Sequence, residues 1–221
     1  MTKDIIIFDL DGTLLNTLDD LHKSFNYALK CFGYKQRTLE EIRNFVGNGI
    51  MNAMQRALPH FVSDKEFNDI MLVFENYYQN HMGDVTKPYD GILPMLRELK
   101  QKGYKTAVVS NKFDSAVKGL CENYFGNLIQ YAIGESFDIR KKPESDGILK
   151  VIKELNSSLE TAIYAGDSDV DILTAKKVKI PCISVLWGYR NKEFLRQNGA
   201  KIFAEKPEDI LKIIEKKLYL L

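Results

Sequence analysis

The hydrophobic periodicity of this chain predicts an α/β fold in which a parallel sheet carries a block of helices inserted after its first strand, and three observations support it. The continuous apolar run Ile5-Ile6-Ile7-Phe8 reads as a strand buried on both faces. Residues 15–86 then carry helical spacing throughout. From Pro88-Tyr89-Asp90-Gly91 onward, short β-rich runs alternate with amphipathic stretches, the pattern of parallel strands joined by helical crossovers. The first strand has to join that later sheet, so the helical block is an insertion and not a separate N-terminal domain.

Taken in order, the first strand runs straight into Asp9-Leu10-Asp11-Gly12-Thr13. Leu18, Leu21, Phe25, Ala28, Leu29 and Phe32 form one helical stripe, which Gly33 stops. Thr38 with Glu41 three residues on marks a capped short helix, and Gly47-Asn48-Gly49 makes a loop before a helix that ends at Pro59. Ser63 with Glu66 repeats the capping-box pattern and opens a long helix to His81. Asp19 and Asp20 are expected on the exposed first turn of the first helix, where they suit its dipole. Beyond residue 90 the pattern predicts helix 92–102, strand 105–110, a helix from 114, strand 131–133 and helix 144–155. Strand 162–165, helix 170–177, strand 182–186, strand 200–203 and a final helix from Pro207 complete the series.

Composition excludes several classes of function. Lys and Arg number 31 against 30 Asp and Glu, a net charge of +1, so the chain lacks the basic excess of a nucleic-acid-binding surface. With 45% hydrophobic and 11% aromatic residues it can bury a core and is not low-complexity. No apolar run reaches the roughly 18–20 residues of a membrane helix, and residues 1–4 lack a secretory apolar stretch. Cys31, Cys121 and Cys182 stand far apart, so neither a disulfide framework nor a thiolate zinc site is expected, and the reducing cytoplasm is the expected compartment. His22, His60 and His81 share no ligand spacing.

In open α/β sheets the functional groups lie just past the carboxyl ends of strands. Here those positions hold Asp9 and Asp11, then Ser110-Asn111-Lys112, then Lys141-Lys142-Pro143 before a helix, then Gly166-Asp167-Ser168-Asp169-Val170-Asp171. Four carboxylates brought together repel one another unless a cation sits among them, and hard oxygen donors suit Mg²⁺. A metal, a lysine and a hydroxyl together fit a phosphate. One carboxylate can attack phosphorus to form an aspartyl-phosphate, and a second can protonate the leaving oxygen and later deprotonate the attacking water. Lysine and hydroxyl or amide donors stabilise charge on the equatorial oxygens. Gly12 permits close backbone approach to the phosphate, and Thr13 can add a donor.

Phe8-Asp9-Leu10-Asp11-Gly12-Thr13, Ser110-Asn111-Lys112, Lys142-Pro143 and Gly166-Asp167-Ser168 with Asp171 resemble, in that order, the four motifs of the haloacid dehalogenase-like (HAD) superfamily hydrolases. The resemblance implies a Rossmann-like parallel sheet core, residues 1–14 and 87–221, with an inserted all-helical cap domain, residues 15–86. It implies Asp9 as nucleophile and metal ligand, and Asp11 as general acid/base that gives its main-chain carbonyl to Mg²⁺. Asp167 would be a further metal ligand and Asp171 would act from behind it or orient Lys142. Gly12, Thr13, Ser110, Asn111 and Lys142 would bind the phosphoryl group. Val46-Gly47-Asn48-Gly49 followed by Arg56-Ala57-Leu58 is similar to the cap segment of phosphoglycolate phosphatases, and Trp187-Gly188-Tyr189-Arg190 to their C-terminal loop.

The function so implied is Mg²⁺-dependent hydrolysis of a small phosphate monoester, with 2-phosphoglycolate first. Related alternatives are a sugar phosphate, nucleotide or pyrophosphate as substrate, or β-phosphoglucomutase-like phosphotransfer; Thr13 favours hydrolysis. The expected partner is a small phosphorylated metabolite, with no nucleic acid and no membrane, on a monomer or homodimer. In cap positions Gly47, Asn48, Gly49 and Arg56 would read the substrate, although Gly47-Asn48-Gly49 also reads as a plain turn. A receiver-type signalling module uses similar groups around Mg²⁺, but Asp9-x-Asp11 and the inserted helices argue against it.

Overall fold

The computed structural model describes residues 3–220. Met1, Thr2 and Leu221, at the ends of the expected core segments, lie outside the described residues. The chain divides into two compact units, Met1–Leu15 with Pro88–Leu221, and Asn16–Lys87. Strand β1 (Ile5–Phe8) belongs to the first unit. The chain leaves it along β2 (Leu15–Asn16) and returns along β3 (Lys87–Pro88), and these two short segments pair as a ribbon. Two residues are too few for periodicity to reveal them.

The second unit is helical: α1 (Leu18–Cys31), α2 (Leu39–Phe45), α3 (Ile50–Ala57) and α4 (Asp64–His81). The stripe Leu18, Leu21, Phe25, Ala28 and Leu29 is buried, and Phe25 meets Phe74 of α4 with ring centroids 4.9 Å apart. Gly33, at φ +74°, ends α1 as expected. Thr38 and Glu41 form the full reciprocal capping box. At Ser63 only half of it forms: Ser63 Oγ accepts from Glu66 N, while the Glu66 carboxylate instead accepts from the Tyr34 hydroxyl at 2.6 Å.

Asp20 corrects the expectation of an exposed first turn. Asp19 is exposed, but Asp20 is 1% exposed, and its Oδ2 accepts from Val85 N at 3.1 Å, Thr86 N at 2.9 Å and Thr86 Oγ1 at 2.8 Å. The carboxylate is buried because it satisfies the main chain of the segment returning toward β3, a partner 65 residues away that helical spacing cannot reveal. Its Oδ1 has no hydrogen-bond partner among the described residues, with the Lys23 ammonium 3.9 Å away. Asp20→Ala would strand three donors and is expected to cost about 2–3 kcal/mol of local stability. Hydrogen exchange at the Val85 and Thr86 amides would read that loss, and unchanged protection would refute it.

In the first unit six strands form one sheet in the order β5-β4-β1-β6-β7-β8, with every ladder parallel. Following β3 come α5 (Ile92–Gln101), β4 (Lys105–Phe113), α6 (Asp114–Phe125), β5 (Tyr131–Glu135) and α7 (Asp146–Glu154). They are followed by β6 (Ala162–Gly166), α8 (Asp169–Lys177), β7 (Cys182–Val185), α9 (Lys192–Gln197), β8 (Ile202–Ala204) and α10 (Glu208–Glu215). Ile5, Ile7, Ala107, Val109, Ala162 and Tyr164 face Ile148 and Val151 of α7 and Ala175 of α8 in one buried cluster. Alternation sends Ile6, Phe8, Val108, Ile163 and Ala165 to the other face, and all are fully buried. No described helix is long and apolar enough to cross a membrane.

Three further elements differ most from expectation. Strand β4 continues to Phe113, past a register shift between Val109 and Phe113, so Ser110-Asn111-Lys112 lies within the bulged end of the strand and not beyond it. The helix expected from residue 144 begins at Asp146, because the turn Lys141–Glu144 precedes it. Helix α9, capped by Asn191 accepting from Phe194 N, was not expected; its six residues bury only Leu195. After β1 the chain builds outward through β4 and β5, then crosses to β6 on the opposite side of β1. The switch point, where ligands bind in such sheets, therefore lies at the carboxyl end of β1.

Candidate active site

Asp9 stands at that switch point. Its main-chain N–H continues the ladder to Ala165 O at 2.9 Å, which fixes the residue at the end of β1, and its side chain is nearly buried. Beyond it the chain turns so tightly that Leu10 O accepts from Thr13 N, Leu14 N and Leu15 N. Gly12 holds φ +84°, and a Cβ there would come within 3 Å of the Asp167 carboxylate, so both conformation and space require glycine.

Lys142 is 3% exposed, and its ammonium is 2.7 Å from Asp9 Oδ1 and 2.7 Å from Asp171 Oδ1. Asp171 on α8 is fully buried. Besides Lys142, its Oδ1 accepts from the Tyr164 hydroxyl, and its Oδ2 accepts from Ser168 N at 3.0 Å and Ser168 Oγ at 2.6 Å. A Cβ on Gly166 would collide with this side chain. Asp167 is also buried: its Oδ2 accepts from Tyr189 N at 2.7 Å and its Oδ1 from Thr13 Oγ1 at 3.3 Å. One carboxylate oxygen from each of Asp9, Asp167 and Asp171 lies within 4.8 Å of the others.

Burial raises the Asp9 carboxyl well above its ordinary range, against the opposing pull of Lys142. Burial, followed by the charge of Asp171, pushes Asp167 up to about 7, with the Tyr189 N–H and Arg190 offsetting part of the shift. Asp11 pairs with Lys112, whose ammonium lies 3.0 Å from Asp11 Oδ2. Four carboxylates, Asp9, Asp11, Asp167 and Asp171, thus face two ammonium groups, Lys112 and Lys142, and the Arg190 guanidinium near Asp167, so that one negative charge is left over when all four are ionised. Hard oxygen donors with that excess fit a divalent cation such as Mg²⁺, with Asp9 and Asp167 the carboxylates placed to hold it. Asp171 belongs to the same cluster, but both its oxygens are engaged by Lys142, Tyr164 and Ser168, which suits it to orienting Lys142.

The structure gathers Asp9, Asp11, Gly12, Thr13, Ser110, Asn111, Lys142, Asp167 and Asp171 at one end of the sheet. Within that group, two side chains bond to protein partners that the sequence did not show. Asn111 grips the main chain of Lys142, its Oδ1 accepting from Lys142 N at 2.5 Å and its Nδ2 donating to Lys142 O at 3.0 Å, so it places the lysine. Thr13, fully buried, donates to Asp167. Ser110 Oγ accepts from Lys112 N at 3.3 Å. Gly47, Asn48, Gly49 and Arg56 lie on the helical unit. There Gly47 and Gly49 have φ +113° and +81°, Asn48 O accepts from Asn52 Nδ2, and Arg56 is exposed in the last turn of α3.

Sequence reasoning gave no role to Lys112, Tyr164, or the contacts of residues 187–189. Trp187 Nε1 donates to Thr13 O at 2.9 Å, and a Cβ on Gly188 would run into Asp167 and Gly12 O. This loop therefore closes against the tight turn that follows Asp9. The late Trp187-Gly188-Tyr189 cluster was the available signal for it.

The profile of the haloacid dehalogenase-like hydrolases matches residues 6–185. The chain is 30% identical to a phosphoglycolate phosphatase of Aquifex aeolicus (strain VF5), over 96% of each chain. It is equally identical, 30% over 95% of each chain, to the pyrophosphatase PpaX of Listeria monocytogenes serotype 4a. Among solved structures, a protein of Lactobacillus delbrueckii subsp. bulgaricus, provisionally assigned as a phosphoglycolate phosphatase, superposes with a TM-score of 0.91 at 35% identity, covering 97% of this chain and 99% of that one.

Proposed function

The chain belongs to the haloacid dehalogenase-like hydrolases, and from that membership we propose that it is a Mg²⁺-dependent phosphatase that hydrolyses a small phosphate monoester, 2-phosphoglycolate first, through an aspartyl-phosphate on Asp9. The observation that supports this best is the Asp9–Lys142–Asp171 chain: a nearly buried carboxylate at the switch point, held by a lysine that is itself fixed from behind.

In this reading Asp9 attacks phosphorus, forming the carboxylate-oxygen-to-phosphorus bond as the bond to the alcohol oxygen breaks, while Asp11 delivers its proton to that oxygen. Asp11 then takes a proton from the attacking water, which releases phosphate and restores Asp9. Ser110 donates to an equatorial oxygen, Lys142 stabilises the phosphoryl charge electrostatically from beside Asp9, and Lys112 keeps the Asp11 carboxylate in place. Asp9, Asp167 and the Asp11 carbonyl would hold a divalent cation, which would neutralise the charge shared by nucleophile and phosphoryl group. The helical unit acts as the cap that excludes water, with Asn48 and Arg56 reading the substrate. The enzyme works as a monomer or homodimer in the cytoplasm, on a small phosphorylated metabolite and without nucleic acid or membrane.

Pyrophosphate is the second reading, favoured by the PpaX relatives. A phosphate-release screen with Mg²⁺ over 2-phosphoglycolate, pyrophosphate, sugar phosphates and nucleotides separates them. The highest kcat/KM is expected for 2-phosphoglycolate. A higher value for pyrophosphate would move the assignment, conversion of β-glucose 1-phosphate to its isomer would indicate phosphotransfer, and no turnover on any compound would overturn the phosphatase reading.

A further inference from the structure

Tyr164 is fully buried in the middle of β6, a position where a phenylalanine would fill the same space among Ile7, Val109 and Ile148. Its hydroxyl is nonetheless built into the Lys142 site. It accepts from Lys142 Nζ at 3.0 Å, and Asp171 Oδ1 and Val109 O both lie 3.1 Å away as acceptors for its single proton. The Lys142 ammonium carries three protons, and the side chains around it supply three partners: Asp9 Oδ1, Asp171 Oδ1 and Tyr164 Oη. Two of these are charged and draw the ammonium toward themselves. The third is neutral and is anchored by the main chain of β4, so it sets the direction in which the ammonium points.

We propose that Tyr164 is a positioning residue for catalysis, its hydroxyl completing a three-cornered seat that fixes the Lys142 ammonium against Asp9. The catalytic part of this proposal rests on the phosphatase reading above; the positional part does not. A hydroxyl in this place costs desolvation unless it is hydrogen-bonded, and its bonds here go to the charged pair and to one strand carbonyl. Removing it leaves one ammonium N–H unpaired in a buried site, and Lys142 is then free to collapse toward Asp171 and away from the nucleophile.

Tyr164→Phe keeps the ring and removes only the hydroxyl. In the variant kcat is expected to fall about tenfold with KM changed less than about twofold, since the lost contact acts on the group that stabilises transferred charge and not on substrate capture. The position of the ammonium is read separately, by ¹H–¹⁵N NMR of the lysine side chains, in which an immobilised ammonium gives a resolved signal. The Lys142 signal, identified by its loss in Lys142→Arg, is expected in the wild type and should be lost or broadened in Tyr164→Phe. A kcat within twofold of wild type, or an unchanged Lys142 signal in the variant, would overturn the proposal. If the variant fails to fold, absence of an immobilised Lys142 signal in the wild type overturns it alone. If the wild type turns over no phosphate compound, the phosphatase reading has failed, and the NMR comparison still decides whether Tyr164 seats the lysine.

Discussion

Asp9→Asn is expected to lower turnover by at least about 10³-fold, the equivalent of roughly 4 kcal/mol of transition-state stabilisation. An amide cannot attack phosphorus, and it replaces the anion 2.7 Å from the Lys142 ammonium with a neutral oxygen. The fold should survive, because Asn has nearly the same shape and the strand position is fixed by the main-chain bond from Asp9 N to Ala165 O. Lys142 also keeps Asp171 and Tyr164. Burial already disfavours the ionised Asp9, so removing its charge should leave the melting temperature unchanged or raised. Multiple-turnover phosphate release under saturating Mg²⁺ tests the first expectation and calorimetry the second. Retention of more than a tenth of the wild-type rate would remove Asp9 from the nucleophile role.

The fold was legible because its signals are local and strong. Ile5-Ile6-Ile7-Phe8 can be little other than a doubly buried strand, and β4, β6 and β7 lie within a few residues of the expected spans. The carboxylates were legible for a related reason, since their positions follow from the strands that precede them. What stayed hidden depends on contacts between residues far apart in sequence. Tyr164 reads as core from its neighbours, and only the structure places its hydroxyl on Lys142. Asp20 reads as a first-turn acid until Thr86 is folded against it. Asn111 reads as a donor for ligand until its amide is seen on the main chain of Lys142. In each case the residue type fits two environments equally well, and tertiary packing decides between them.

In the proposed metal-holding role Asp167 sets function against stability, and the conflict predicts how the protein responds to metal. Its carboxyl is pushed up to about 7 by burial and by Asp171, whereas in an unfolded chain it would titrate near 3.9. Between those values the folded state binds the extra proton, so without metal the contribution of Asp167 to stability falls as pH rises from about 4 to 8. At pH 8 the metal-free protein carries this carboxylate ionised beside Asp9 and Asp171, and a divalent cation should relieve that repulsion. Mg²⁺ at about 100 times its dissociation constant would add about 2.7 kcal/mol. For a chain of this length that corresponds to an increase in melting temperature of roughly 5–10 °C. EDTA should reverse the shift and stop turnover together. Asp167→Asn should do the opposite of an ordinary core mutation. Without metal it should melt at or above wild type at pH 8, because the amide still accepts from Tyr189 N and brings no charge. It should also lose the Mg²⁺ shift and at least about 10²-fold of turnover, the scale found when one electrostatic contact at a reacting group is removed. A variant that melted well below wild type yet kept its full response to Mg²⁺ would show that Asp167 is a structural acid and that the cation is held elsewhere.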